Sequence, residues 1–213
     1  MSRSIAVLRH AAPAVLLALA MAGCGSVLTI APVIADADAE LDPRLYGRWL
    51  ADDDTEIAIR AGNGNAYAIE YGPVDGARAE AGGEPPAEPA RFEGRLGRLG
   101  SRLVLDVRPV YTAPEPYDAL LIPGHLLFVL DAVEDDRLVV LNLEINTVMT
   151  HLRGGDLDLP YTVEPPTWDP DDEESGPESV VIHGTPTELR AALERYLDRP
   201  GVLAAPDTLR RLE

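Results

Sequence analysis

Four side-chain types in this chain carry reactive or metal-binding chemistry, and their spacing decides what each could do. Beyond residue 23 the histidines are His125, His151 and His183. No two have the i, i+4 spacing that lets one helix face present a zinc-binding pair. Each is expected to be a structural or surface histidine. The serines Ser26, Ser101, Ser175 and Ser179 all lie outside the Gly-x-Ser-x-Gly turn that exposes a nucleophile. Ser101 falls in an expected hairpin turn, where serine usually makes local hydrogen bonds. The densest acid run, Asp169, Asp171, Asp172, Glu173 and Glu174, lacks the central glycine and terminal glutamate of a calcium loop. It is expected to be a solvated loop, and Asp52-Asp53-Asp54 a turn. The chain has no lysine, so a Walker phosphate loop is excluded, and it has no Gly-x-Gly-x-x-Gly. The sequence therefore assigns no catalytic, cofactor or metal residue. A hydrolase would need these scattered groups to converge in the fold.

The single cysteine is a different case. Met1 to His10 holds Arg3 and Arg9 and no acid, and Ala11 to Gly23 is uncharged and rich in Ala and Leu. This charged-then-apolar order is that of a secretory signal peptide. The apolar run ends in Met21-Ala22-Gly23-Cys24, which resembles the lipobox of bacterial lipoproteins, usually Leu-Ala-Gly-Cys, with Met21 in place of the leucine. The resemblance implies cleavage before Cys24, a thioether-linked diacylglycerol (and commonly palmitate) on Cys24, and a cell-envelope location. Gly25 at the sorting position implies the outer membrane in a diderm bacterium. At about 0.8 kcal/mol per buried methylene, two or three acyl chains give lasting attachment. An uncleaved membrane helix is the other reading, since no residue from Ala11 to Ala35 is charged. Pro13, Gly23, Gly25 and Pro32 count against it. Both readings leave the rest of the chain outside the cytoplasm.

Charge narrows the partners. The formal net charge of −18 becomes −20 when residues 1–23, with two arginines and no acid, are removed. Phosphate neutralisation needs a basic face, so nucleic acid is excluded as a partner. One cysteine excludes an internal disulfide framework and a Cys-rich zinc site.

The elements that must position any site follow from periodicity. Residues 1–23 form the signal, 24–43 the lipidated cysteine and an acidic tether (Asp36, Asp38, Glu40, Asp42), and 44–213 a single β-rich domain. Ser26 to Ile34, apolar and β-branched, either lies against the domain or forms an early strand. Ile57 and Ile59 alternate with polar neighbours, Asn63-Gly64-Asn65 supplies a turn, and Tyr67, Ile69 and Tyr71 alternate on its far side. That is a hairpin signal. Phe92, Gly94 and Leu96 pair with Leu103, Leu105 and Val107 across a turn at 97–101. Leu126 to Leu130 and Leu138 to Leu143 flank Glu134-Asp135-Asp136. The unbroken apolar run Leu126 to Leu130 predicts a strand covered on both faces. Helical period appears at Ile145, Val148, Met149 and Leu152, with Asn146 as candidate N-cap, and after Thr185-Pro186-Thr187-Glu188, a capping box. Pro206 to Leu212 is expected to be a short turn packed on the domain. The fold class is mainly β: antiparallel hairpins in an open, curled sheet or partial barrel, with two short helices toward the C-terminus.

Gly47-x-Trp49 ahead of the first hairpin resembles the motif that opens the barrels of lipocalins and their calycin relatives. There it implies a tryptophan closing the narrow end. Trp49, with Tyr111, Tyr117 and Trp168 in proline-rich loops, forms the candidate ligand- or partner-contact set. The leading expectation is a non-catalytic, lipid-anchored envelope protein whose β-domain binds another envelope protein. The alternative is a calycin-like carrier of a small apolar ligand.

Overall fold

A computed structural model of the chain describes residues 26–51, 55–74, 89–110, 124–164 and 179–212. Its centre is a closed barrel of eight strands. The strands are β2 (Gly47–Leu50), β3 (Thr55–Ala61), β4 (Tyr67–Pro73), β5 (Ala90–Leu99), β6 (Arg102–Pro109), β7 (His125–Val133), β8 (Arg137–Leu141) and β11 (Asp207–Arg211). Each is antiparallel to both neighbours, and β11 closes the circuit between β8 and β2. The three expected hairpins are present, and β5 runs on to Leu99. The sheet does not stay open: the segment expected as a terminal turn is the strand that completes it. Closure satisfies the backbone groups that an open sheet would expose along its edges.

Side chains alternate between two hydrophobic clusters. The inward faces bury Trp49, Ile59, Tyr67, Ile69, Leu96, Leu105, Leu130, Leu138 and Leu209 together with Leu45. The outward faces of β5, β6 and β7 bury Leu99, Val104, Leu127 and Val129 in a second cluster. Strand β7 supplies both, with Leu127 and Val129 outward and Phe128 and Leu130 inward. This is the two-sided burial its apolar run predicts. At about 1.5–3 kcal/mol for each fully buried large aliphatic side chain, neither layer is dispensable.

The outer cluster is covered by what remains. Helix α1 (Ile145–Gly154) contributes Val148, Met149 and Leu152, and helix α2 (Pro186–Tyr196) contributes Leu189, Leu193 and Tyr196. A side sheet adds β1 (Val27–Thr29), β10 (Ser179–Ile182) and β9 (Tyr161–Glu164), joined to the barrel where Leu28 and Thr29 pair with Leu126 and His125 on β7. The capping box of α2 is present: the Thr185 hydroxyl accepts from Glu188 N (3.3 Å), and the Glu188 carboxylate accepts from Thr185 N (2.9 Å). For α1 the cap is Glu144 and not Asn146. Its carboxylate accepts from the backbone N of Asn146 (3.2 Å) and Thr147 (2.6 Å). The Thr147 hydrogen bond holds this carboxyl below the usual glutamate range, as a helix N-terminus favours an anion.

The expected tether at 24–43 is folded from Ser26 onward. Val33 and Ile34 are buried in the outer cluster, and Glu40 bridges to Leu96. Gly97 on β5 permits the crossing, because a Cβ there would come within 2.7 Å of the Ile34 side chain. The alternating acids are exposed or partly so, but the apolar residues between and before them have a surface to bury.

Candidate functional site

The two ends of the barrel are built differently. At one end the strands join through tight connections at 62–66, 100–101 and 134–136. Here the 3-10 turn Pro43–Leu45 places Leu45 and Tyr46 over the interior. Trp49 has no exposed surface, and its indole Nε1 donates to the Leu45 carbonyl (2.9 Å). The Arg211 guanidinium lies 4.3 Å above the Trp49 ring. Its nitrogens donate to the carbonyls of Tyr46 (2.6 Å), Arg44 (2.6 Å) and Asp135. One planar cation thereby ties β11 to the 3-10 turn and to the β7–β8 connection, and stacks on the tryptophan. Gly47 is required twice. Its φ of +137° suits glycine, and a Cβ would overlap the Arg211 guanidinium. Tyr67, also fully buried, accepts from Asp42 N (2.6 Å) and packs on Tyr46 at 5.5 Å. Burial pushes the Tyr67 phenol up, and the Arg44 hydrogen bond holds the Asp42 carboxyl down.

At the opposite end β2 runs out toward β3, β4 toward β5, and β6 toward β7 through 52–54, 75–88 and 111–123, outside the described residues. On β3, β5, β7 and β8 large interior side chains lose burial in this direction, whereas on β6 Leu103 near the closed end is half-buried and Val107 toward the open end is buried. Ile59 is buried and Ile57 half-buried, Leu96 buried and Phe92 half-buried. Leu130 and Phe128 differ in the same way, and so do Leu138 and Val140. The four half-buried side chains still pack on the interior cluster. They make an apolar surface that carries two phenylalanines. Such a surface can seat apolar groups of a ligand or partner.

Of the candidate contact residues, Trp49 belongs to the closed end, where Arg211 and the core occupy its surface. It is thus withdrawn from any outer contact face. Tyr111, Tyr117 and Trp168 lie outside the described residues, as do Cys24, the acid run at 169–174 and Asp52–Asp54. The chain leaves β6 at Pro109 toward Tyr111 and Tyr117, and re-enters at His125, both at the open end.

The histidines take three separate partners. His125 Nδ1 is 2.6 Å from Asp106 Oδ1, and both side chains are buried. The other Asp106 oxygen accepts from Val33 N (2.6 Å) and Ile34 N (3.1 Å). This pair pins the N-terminal segment across the outer face of β6, a role invisible in sequence because it joins residues far apart in the chain. His151 Nδ1 meets Tyr196 Oη at 2.8 Å, and burial pushes the Tyr196 phenol up to about 12. His183 Nε2 meets Thr162 Oγ1 at 2.8 Å. Ser101 Oγ faces Asp198. Among the described residues no group of three His, Cys, Asp or Glu side chains could hold a metal ion. A polar depression of about 290 Å³ near the closed end collects Arg44, Arg98 and Arg102. Each already has a carboxylate: Asp42 at 2.5 Å, Glu40 at 3.7 Å and Asp198 at 2.8 Å. It offers no uncompensated positive field for an anion. Comparison of the chain with protein-family models, curated proteins and solved structures returned no match.

Proposed function

We propose that this chain is a lipid-anchored lipoprotein of a bacterial cell envelope, of the outer membrane where there is one. Its barrel is a non-catalytic binding module that works through the open end. The address rests on the charged-then-apolar N-terminus and on Met21-Ala22-Gly23-Cys24. The binding reading is supported by one observation: Ile57, Phe92, Phe128 and Val140, which pack on the interior cluster toward the open end, are only half-buried. Half-burying two phenylalanines gives up part of about 1.5–3 kcal/mol per side chain. A partner that covers them recovers it.

The occupant is another envelope protein presenting apolar side chains. A small apolar molecule is the second reading, favoured by the two half-buried phenylalanines. In either case the calycin-like resemblance of Gly47 and Trp49 concerns the closed end and supports the scaffold, while binding belongs to the opposite end. A photo-crosslinking residue at Phe92, used in intact envelopes, should give a reproducible protein adduct. The same residue at exposed Asp135 should give none. Equal labelling from both positions, or none from Phe92, overturns the open end as the binding surface. Native mass spectrometry of the domain separates the second reading, because a co-purifying apolar mass would establish it in place of a protein partner. For the address, labelled palmitate should enter the wild-type chain and not a Cys24→Ala variant.

A further inference from the structure

The tether that a lipoprotein ordinarily places between lipid and domain is almost missing here. The Ser26 carbonyl already accepts from Val180 N at 2.9 Å, and Val27 is a paired residue of β1, flanked by β10 and, from Leu28, by β7. Only the two peptide links from Cys24 to Ser26 remain. A fully extended chain covers at most about 3.6 Å per residue, so they span about 7 Å. The attachment point is therefore fixed to the fold, and the direction of β1 gives it an orientation. Thr29 lies opposite His125, the first residue of β7, at the open end of the barrel. Strand β1 thus runs toward the open end, and Ser26, which precedes it, lies on the side of Thr29 away from that end. The parallel partner β10 starts beside it at Ser179, opposite Glu164 at the end of β9.

Resting on the lipidation of Cys24 proposed above, we infer that the domain is held directly on the bilayer surface by the edge around Ser26 and Ser179, with its open end turned away from the lipid. The partner of that edge is the headgroup layer itself. A reach of about 7 Å is shorter than the Debye length of about 8 Å at physiological ionic strength, so the repulsion between an acidic domain and anionic lipid cannot be relieved by distance. The open end consequently meets partners from the aqueous side or from a facing structure, and not apolar material from the anchoring leaflet.

The test uses the full lipidated chain in vesicles containing a headgroup-labelled quencher lipid. A fluorophore is placed at Ser179→Cys in one sample and at exposed Val110→Cys, at the open-end terminus of β6, in another. Acylated Cys24 does not take the label. Quenching at 179 should exceed that at 110 at least about twofold. A Gly/Ser insertion of about 20 residues between Gly25 and Ser26, whose root-mean-square span is about 25 Å, should bring the two toward equality. Equal quenching without the insertion, or stronger quenching at 110, overturns the orientation in a protein shown by mass to be lipidated. A chain that takes up no acyl group instead overturns the lipoprotein reading, and this inference falls with it. Vesicles of neutral and of anionic lipid should give the same order of quenching, because the short covalent span and not charge sets it.

Discussion

At one end of the barrel, Leu45, Trp49 and Tyr67 are fully buried, and Arg211 answers three backbone carbonyls at once. At the other, Phe92 and Phe128 stand half-exposed between strands that run out into the longer connections. The same eight strands supply both ends, so the sheet itself does not explain the contrast. What differs among the described residues is the capping element. The 3-10 turn and Arg211 seal one mouth, and among the described residues nothing equivalent packs on the other. The sealed end thus carries stability, and the proposed recognition belongs to the other.

That contrast breaks most visibly at Trp49. Replacing Trp49 with Ala should destabilise the domain by about 3–5 kcal/mol, since a fully buried indole leaves a cavity that the barrel cannot collapse. Urea unfolding followed by circular dichroism would measure it. A loss under about 1 kcal/mol would mean that the closed end does not hold the fold. Arg211→Ala comes next, at about 2–3 kcal/mol, because it uncovers the indole and leaves carbonyls without donors. Arg211→Lys should restore less than half, as a single ammonium cannot reproduce the planar fork.

Changes at the open end should be smaller in stability and larger in binding. Phe92→Ala or Phe128→Ala should cost about 1–2 kcal/mol of folding free energy, because each side chain is already partly in water. Either should abolish the Phe92-directed crosslink. If these substitutions cost as much as Trp49→Ala, the two ends are equally structural and the comparison fails.

The smallest effect is a pH dependence confined to the closed end. The Tyr67 phenol is raised by burial. Its contribution is fully present below its unfolded value near pH 10, and is lost as pH rises through the higher folded value. The Asp42 carboxyl is lowered, chiefly by its hydrogen bond from Arg44. Its contribution is present above about pH 4 and is lost as pH falls through the lower folded value. Trp49 fluorescence, isolated in a Trp168→Phe background, should therefore report loosening at both extremes. Tyr67→Phe should remove its share of the alkaline change while leaving the acid side in place.

Much of the barrel is legible in local pattern. Ile57 and Ile59, Tyr67 and Ile69, and Leu103 and Leu105 alternate because one face of each strand meets the interior. Leu126 to Leu130 is continuous because β7 meets a core on both faces. The capping box at Thr185 and Glu188 is legible for the same reason: its partners lie three residues apart. Strand β11 left no comparable signal. In Asp207–Arg211 only Leu209 is an apolar residue of the interior cluster, and an arginine fills the next inward position. Asn146 is the more usual cap residue for α1, yet Glu144 reaches the free N–H groups first and bonds Asn146 as well.

By itself, the sequence determined the order of the hairpins, the two-sided burial of β7, the cap of α2 and the position of the lone cysteine. Each of these depends on residues close together in the chain. Tertiary structure alone decided that the sheet closes, that Arg211 seals one mouth over Trp49, and that Asp106 and His125 pin Val33 and Ile34. It also decided that the expected tether is part of the fold. These contacts join the first and last portions of the chain to its middle. Their energy comes from surfaces that exist only once the barrel has formed.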